Sequence, residues 1–388
     1  MNIPDLTLLL VACVVAIVCG RTKIPYTVGL VFVGIALAYC GAVPATRLSH
    51  SLVFDLLLPP LIFEAAFHLK WKELKPSVLP VGLLATAGVV VSAMVAAGVL
   101  VLFTELPTIA CLTIGIVMSA TDPVSVLALL KEAKLSARVH KLLEAESLFN
   151  DGTATILFLI APLVLAGTTS AFGVVTFSCW EIFGGLAVGA FVGFVAMAIG
   201  GRTEDHLVEI AITVIAAFGS FFLAQRLHAS GILSTLAAGM VIGNLDRFGA
   251  ITEKGRDAAH TFWEFACFVA NSFIFILIGL ELRVWSTSGA FMLSSLVVVS
   301  MLLGRAVAVY GWCFPLRRTR SAVEPVVQHL LFWGGLRGAL SIALVLGLPD
   351  EFPERDLVIT AVFHGVVFSI VVQGLTVSPL IKRVKALG

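Results

Sequence analysis

The segment Glu146-Ser147-Leu148-Phe149-Asn150-Asp151 sets two carboxylates, a hydroxyl and an amide inside a run otherwise apolar enough to cross a membrane. Helical residues four apart lie one above the other, so Ser147 and Asp151 share one face, while Glu146 and Asn150 share a second displaced by about 100°. One face is then able to bind and the other to brace. An ionisable group near the bilayer centre costs about 2.5 to 3.5 kcal/mol even on the lenient insertion scale, which makes each one a functional candidate. Six fall near mid-membrane: Glu64, Asp122, Glu146, Asp151, Arg305 and Arg337. Two bases do not neutralise four acids.

Depth along the spans pairs Glu146 with Arg305, since both lie on the same side of the middle of their helices, and a buried ion pair satisfies both. That leaves Asp151 as the carboxylate without compensation. Desolvation disfavours its lone charge, so near pH 7 a proton and a metal cation compete for one group, and that competition is itself a transport mechanism. Glu64, in PPLIFEAAFHLK, lies at similar depth and either lends a second carboxylate oxygen to a cation or stays protonated and hydrogen-bonded. Hard cations prefer oxygen ligands, and Asp151, Ser147, Glu64 and a freed Thr121 carbonyl offer them to a monovalent cation. Glu144 extends the Asp151 face as the mouth of a cation funnel or as a solvated helix end. Asp55, Glu209, Glu264 and Glu281 read as interfacial.

The elements that must position these groups are membrane spans. The 388 residues are 59% hydrophobic and 13% charged, with a mean hydropathy of +1.05, which excludes a soluble globular domain. Apolar windows of about 20 residues predict thirteen spans: 5–20, 25–42, 51–68, 78–103, 108–130, 139–166, 178–201, 206–226, 231–244, 261–282, 289–314, 326–347 and 357–382. The first carries Asp5 before it and Arg21 and Lys23 after it, the charge order of a retained helix with its N-terminus outside. With that orientation nineteen Lys and Arg residues fall in cytoplasmic loops, against only Arg47, Arg226, Arg283 and Arg355 outside. An error of one span in the middle would scramble this asymmetry, so count and orientation support each other, and the C-terminus is placed in the cytoplasm. The seven cysteines sit in or beside apolar helices without a CxxC pair and read as packing residues. A net charge of +1 points to no nucleic-acid partner. The chain is read as one transmembrane domain, 1–388, with no soluble domain and, ending soon after Lys385, no regulatory tail.

An odd count permits two inverted halves, about 1–170 and 205–388, joined by the helix at 178–201. The fifth span of each half carries a helix-breaking signal. In the first, Ala120-Thr121-Asp122-Pro123 combines a proline, which cannot donate to the preceding turn, with Thr121 or Asp122 as an N-cap. In the second, Gly334-Gly335-Leu336-Arg337-Gly338 lowers the cost of unwinding. Unwound backbone at membrane depth is tolerated only where protein buries it or water reaches it, and paired breaks point to a binding site. Each break exposes partial charges of both signs; Asp122 offsets a half-helix N-terminus and Arg337 a C-terminus, either beside the substrate or solely to hold crossed half-helices together. Gly185, Gly189 and Gly193, four apart, predict close helix packing.

Thr121-Asp122-Pro123, Glu146-Ser147-x-x-Asn150-Asp151, Gly304-Arg305 and Gly334-Gly335-Leu336-Arg337-Gly338-Ala339, in this order across the transmembrane chain, resemble the sodium/proton antiporters of the cation/proton antiporter family, in its NhaP and eukaryotic NHE branch. The resemblance implies an all-α fold of inverted repeats with two crossed broken helices, a homodimer in the cell membrane, elevator-like alternating access and a part in pH homeostasis. It makes Asp151 the cation and proton carboxylate, with Ser147, Asn150, the Thr121 backbone and Glu64 completing the site. Glu146 and Arg305 become the bracing pair, and Asp122, Pro123 and Arg337 the elements of the crossing. The Asn150-Asp151 sequence resembles the branch that exchanges one Na⁺ or Li⁺ for one proton without net charge; one titrating carboxylate per cycle gives the same count. No cofactor is implied beyond the transported ions. A potassium/proton antiporter of the same fold is the first rival reading, a cation channel the second; an intramembrane enzyme is remote, as the HExxH and GxGD motifs are absent.

Overall fold

The computed structural model describes residues 3–22, 24–40, 48–122, 126–127, 130, 137–244, 252–282, 290–319, 322–378 and 380–382. Among them the backbone is helical, with no strand; one isolated antiparallel bridge joins Asp122 to Leu336. The helices are α1 (Ile3–Thr22), α2 (Tyr26–Cys40), α3 (Leu58–His68), α4 (Trp71–Phe103), α5 (Thr108–Val117), α6 (Ala137–Leu165), α7 (Ala171–Gly200), α8 (His206–Arg226), α9 (Gly231–Asn244), α10 (Glu253–Glu281), α11 (Ala290–Leu316), α12 (Pro325–Gly334), α13 (Ala339–Leu346) and α14 (Arg355–Thr376). Each predicted span contains one of them, and α12 with α13 divide the twelfth. By length and composition α4, α6, α7, α8, α10, α11 and α14 suffice to cross a bilayer. The chain is a multi-pass membrane protein.

The chain packs as two compact units, one of residues 1–54, 77–161 and 271–388, the other of 55–76 and 162–270. Both are discontinuous in sequence. In the second unit Phe63 and Phe67 of α3 and Trp263 of α10 form a core with Ala216, Ala217, Ala238 and Ile242. The Phe63 and Trp263 ring centroids are 4.6 Å apart, and the indole N–H, which must be satisfied when buried, donates to Thr213 Oγ1 at 3.0 Å. The glycine stripe of α7 faces α9: a Cβ at Gly189 would run into the Ser234 carbonyl, and one at Gly193 would lie 3.0 Å from Val241. Small residues there let two backbones touch, as the four-residue spacing predicts.

In the first unit, close approaches set the site. Gly115 of α5 rests on the Ala93 backbone of α4, and Gly304 of α11 rests on the Ser92 carbonyl. With no side chain between α11 and α4, the next residue, Arg305, is held deep in the unit. Glu209 and Glu281 differ from their interfacial reading. Both are buried: Glu209 accepts from Thr252 N and Thr252 Oγ1, each at 3.0 Å, and Glu281 Oε1 accepts from Leu48 N at 3.0 Å. Backbone N–H groups take the place of water.

Candidate functional site

Both predicted interruptions are present, and the two segments meet there. α5 ends at Val117, and helical backbone is described again at Val126, Leu127 and Leu130; Pro123 lies outside the described residues. α12 begins with Pro325 at its first turn, where a missing N–H costs nothing, and ends at Gly334; α13 starts at Ala339. Between them Asp122 N donates to Leu336 O at 2.6 Å. The breaks thus bond to each other through backbone, as two short extended segments.

A broken helix leaves carbonyls unpaired at one end and N–H groups at the other, each needing a partner inside a membrane. Arg337 answers the first need for both helices at once. Its Nε donates to Met118 O at 2.6 Å, the cap of α5, and its Nη1 donates to Gly335 O, the cap of α12. Ser341 Oγ, in α13, donates to Val117 O at 2.8 Å. At the N-terminal end, the Asp122 carboxylate lies against Gly338, the N-cap of α13. A Cβ at Gly338 would stand 2.6 Å from Asp122 Cβ, so only glycine admits that acid to the half-helix N-terminus. A cation on two C-termini and an anion at an N-terminus balance the crossing.

The third strand of the site is α6. Ser147 Oγ donates to Thr121 O. Asn150 Oδ1 accepts from Thr121 N at 3.3 Å, and Asn150 Nδ2 donates to Thr121 Oγ1 at 2.6 Å and to Glu146 Oε1 at 3.2 Å. Both faces of α6 therefore meet at Thr121, whereas the helical spacing alone assigns them separate tasks. Asn150 is fully buried and spends both ends of its amide on Thr121 and Glu146; in this arrangement it orients both groups.

Arg305 and Glu146 stand together as a forked pair, Nη1 to Oε1 at 2.7 Å and Nη2 to Oε2 at 3.0 Å. Leu331 O, freed near the end of α12, accepts from Arg305 Nε at 3.3 Å and from Nη2 at 3.0 Å. Gly335 makes room for the guanidinium: a Cβ there would lie 2.9 Å from Arg305 Nε. One charge is cancelled, and a half-helix end is satisfied by the same group.

Asp151 is treated differently. Its Oδ1 is buried and accepts no hydrogen bond among the described residues, and Asp122 and Glu146 are two further acids that repel its charge. With Glu146 held by Arg305 and Asp122 at a helix N-terminus, Asp151 keeps lone pairs to offer. Such a group takes up a proton or a hard cation. Glu64 belongs to the second compact unit. There its Oε1 lies 3.3 Å from His68 Nδ1, and the other ring nitrogen of His68 hydrogen-bonds His260 Nδ1 at 2.7 Å.

Sequence reasoning passed over Ser341, Ser369 and Gln373, all buried and all bonded to the breaks. The available signal is a serine or glutamine inside an apolar span, which alone is too common to single out a site.

The transmembrane model of the family described as sodium/hydrogen exchanger matches residues 8–383. The low-affinity Na⁺/H⁺ antiporter NhaS1 of Synechocystis sp. is 36% identical over 373 residues, 94% of this chain and 71% of that protein. The Na⁺/H⁺ antiporter NhaP of Pseudomonas aeruginosa is 37% identical over 349 residues, 85% and 80% of the two chains. The corresponding NhaH of Halobacillus aidingensis is 33% identical over 403 residues, 98% and 97%. Among solved structures, the sodium proton antiporter MjNhaP1 from Methanocaldococcus jannaschii matches with a TM-score of 0.80 at 17% identity, covering 98% of this chain and 97% of its own. At that identity the likeness speaks for the fold.

Proposed function

Because the chain belongs to the sodium/hydrogen exchanger family, we propose that it exchanges Na⁺ or Li⁺ for H⁺, with Asp151 holding one or the other in turn. The observation that carries this reading is the buried Asp151 Oδ1, which has no hydrogen-bond donor among the described residues, in a fold where Arg337 already caps the helix ends at Met118 and Gly335. One carboxylate that changes partner once per cycle moves one cation against one proton, so the exchange is electroneutral. Ser147, one helical turn before Asp151, and the Thr121 carbonyl to which its hydroxyl donates are the oxygen donors that join it in this reading. Interruptions at the fifth helix of each half support reading 1–170 and 205–388 as inverted repeats, on which elevator-like alternating access rests. The basic loops support an outside N-terminus and a cytoplasmic C-terminus in the cell membrane. A homodimer completes the reading.

The test is exchange in proteoliposomes carrying a pH gradient, with Na⁺, Li⁺ or K⁺ added and a membrane potential imposed or clamped at zero. Collapse of the gradient by Na⁺ and Li⁺, indifferent to potential, is expected. Collapse by K⁺ alone transfers the proposal to a potassium/proton antiporter of the same fold. Currents that persist in Asp151→Asn identify a channel.

A further inference from the structure

The interruption between α12 and α13 is also held from α14. That helix contains a π turn at Ser369–Gln373, an uncommon insertion that recurs at functional sites. Ser369 and Gln373 are four residues apart and turn their side chains to the same side. Ser369 Oγ accepts from Arg337 N at 3.0 Å and donates to Gln373 Oε1 at 2.5 Å. Gln373 Nε2 then donates to Trp333 O at 3.2 Å. One relay thereby takes an N–H from the stretch leading into α13 and a carbonyl from the end of α12. Ser369 is 0% exposed and Gln373 1%, so water is not at hand to replace either partner.

We propose that Ser369 and Gln373 are positioning residues for the exchange: their relay sets the spread of the broken helix and, through it, the shape of the pocket around Asp151. The route is continuous. Arg337, fixed at its backbone by Ser369, reaches Met118 O and Gly335 O. Leu336, its neighbour, accepts from Asp122 N, and Thr121 before Asp122 is the common partner of Ser147 and Asn150. Two apolar side chains here would leave the Arg337 N–H and the Trp333 carbonyl without partners, so the serine and the amide fix the direction in which both backbone groups point. Neither residue touches the ion, and the assignment rests on the exchange reading above.

The test compares wild type with Ser369→Ala, Ser369→Thr, Gln373→Leu and Gln373→Glu in proteoliposomes, measuring apparent KM for Na⁺, maximal rate and pH profile, with thermal melting alongside. Ser369→Ala and Gln373→Leu are expected to raise KM for Na⁺ by about tenfold, the usual size of one lost buried hydrogen bond, with little change in maximal rate. Ser369→Thr keeps the hydroxyl and restores the wild-type KM. Gln373→Glu is the sharper variant. A neutral glutamic acid still accepts from Ser369 and donates to Trp333 O, whereas an ionised one has lost its donor. Its exchange is expected to follow wild type at acid pH and to fall off at alkaline pH, a limb that packing alone does not create. Wild-type KM in both Ser369→Ala and Gln373→Leu, or a wild-type pH profile in Gln373→Glu, overturns the relay. If Gln373→Leu does not fold, the isosteric Gln373→Glu decides alone. Wild-type protein without Na⁺/H⁺ exchange overturns the underlying reading before any variant is compared; active wild type with unaltered variants overturns the relay only.

Discussion

Arg305 grips both carboxylate oxygens of Glu146, at 2.7 and 3.0 Å, while two of its nitrogens also donate to Leu331 O. The guanidinium is therefore a joint between α6, α11 and the end of α12. Its residues are 1% and 4% exposed, so neither charge has water to fall back on. Replacing Arg305 with alanine leaves the buried Glu146 carboxyl without its counter-ion, and truncating one partner of such a pair costs about 3 to 5 kcal/mol. Arg305→Ala is expected to melt well below wild type in detergent. Arg305→Lys recovers little, because a single ammonium does not span two carboxylate oxygens and a carbonyl. Equal melting of all three proteins refutes the bracing role.

Asp151 stands at the opposite extreme, an acid with a buried oxygen to which none of the described residues donates. Asparagine matches its shape and removes the charge. Asp151→Asn is expected to insert and melt like wild type or slightly above it, since no bond is lost and a lone buried charge disappears. Exchange falls to the background of empty vesicles. Retained Na⁺-dependent proton movement in this variant defeats the proposed function.

Much of this was legible in the sequence, for identifiable reasons. Spans show as runs of apolar residues because the bilayer demands length, and the breaks show because proline and clustered glycines act through the backbone of their own neighbourhood. The Glu146 and Arg305 pairing followed from depth, since two charges at one level have few other ways to be satisfied. What did not show is anything that depends on direction. Helical spacing separates Ser147 from Asn150 by face, yet both turn to Thr121, because the crossing brings its backbone between them. The π turn at Ser369–Gln373 carries no composition that marks it. Glu209 and Glu281 sit at helix ends, where acids are usually solvated, and only the fold reveals that amides of Thr252 and Leu48 cover them.

Gly338 offers a steric test of the crossing. The Asp122 carboxyl fills the space that a side chain at 338 would need, with Asp122 Cγ 2.7 Å from the position of a Cβ. In Gly338→Ala the acid or the start of α13 must shift, and overpacking of this kind costs about 1 to 3 kcal/mol. Since the displaced group neutralises the half-helix end beside Asp151, exchange is expected to fall more steeply than stability. The double variant Gly338→Ala with Asp122→Gly relieves the clash and regains melting temperature, but not exchange. Additive effects of the two changes on melting would show that the carboxyl and residue 338 do not compete for space.

Competition at one carboxyl also fixes how the pH dependence must run. A proton on Asp151 blocks the cation, and a cation bound there displaces the proton; the two affinities are linked through the same oxygen atoms. Lowering the pH therefore raises the apparent KM for Na⁺, and once the carboxyl is mostly protonated the rise is about tenfold per pH unit, as one proton per site requires. Raising the pH lowers KM to a plateau set by the ionised site, after which the shortage of protons to carry back slows the maximal rate. A plot of log KM against pH is thus expected to pass from a slope of about −1 to zero, with no steeper section. Measurement of Na⁺-driven proton flux at a series of symmetrical pH values gives that plot directly. A limiting slope near −2 would mean that a second group must lose its proton before Na⁺ binds, and the single-carboxylate mechanism would have to be abandoned.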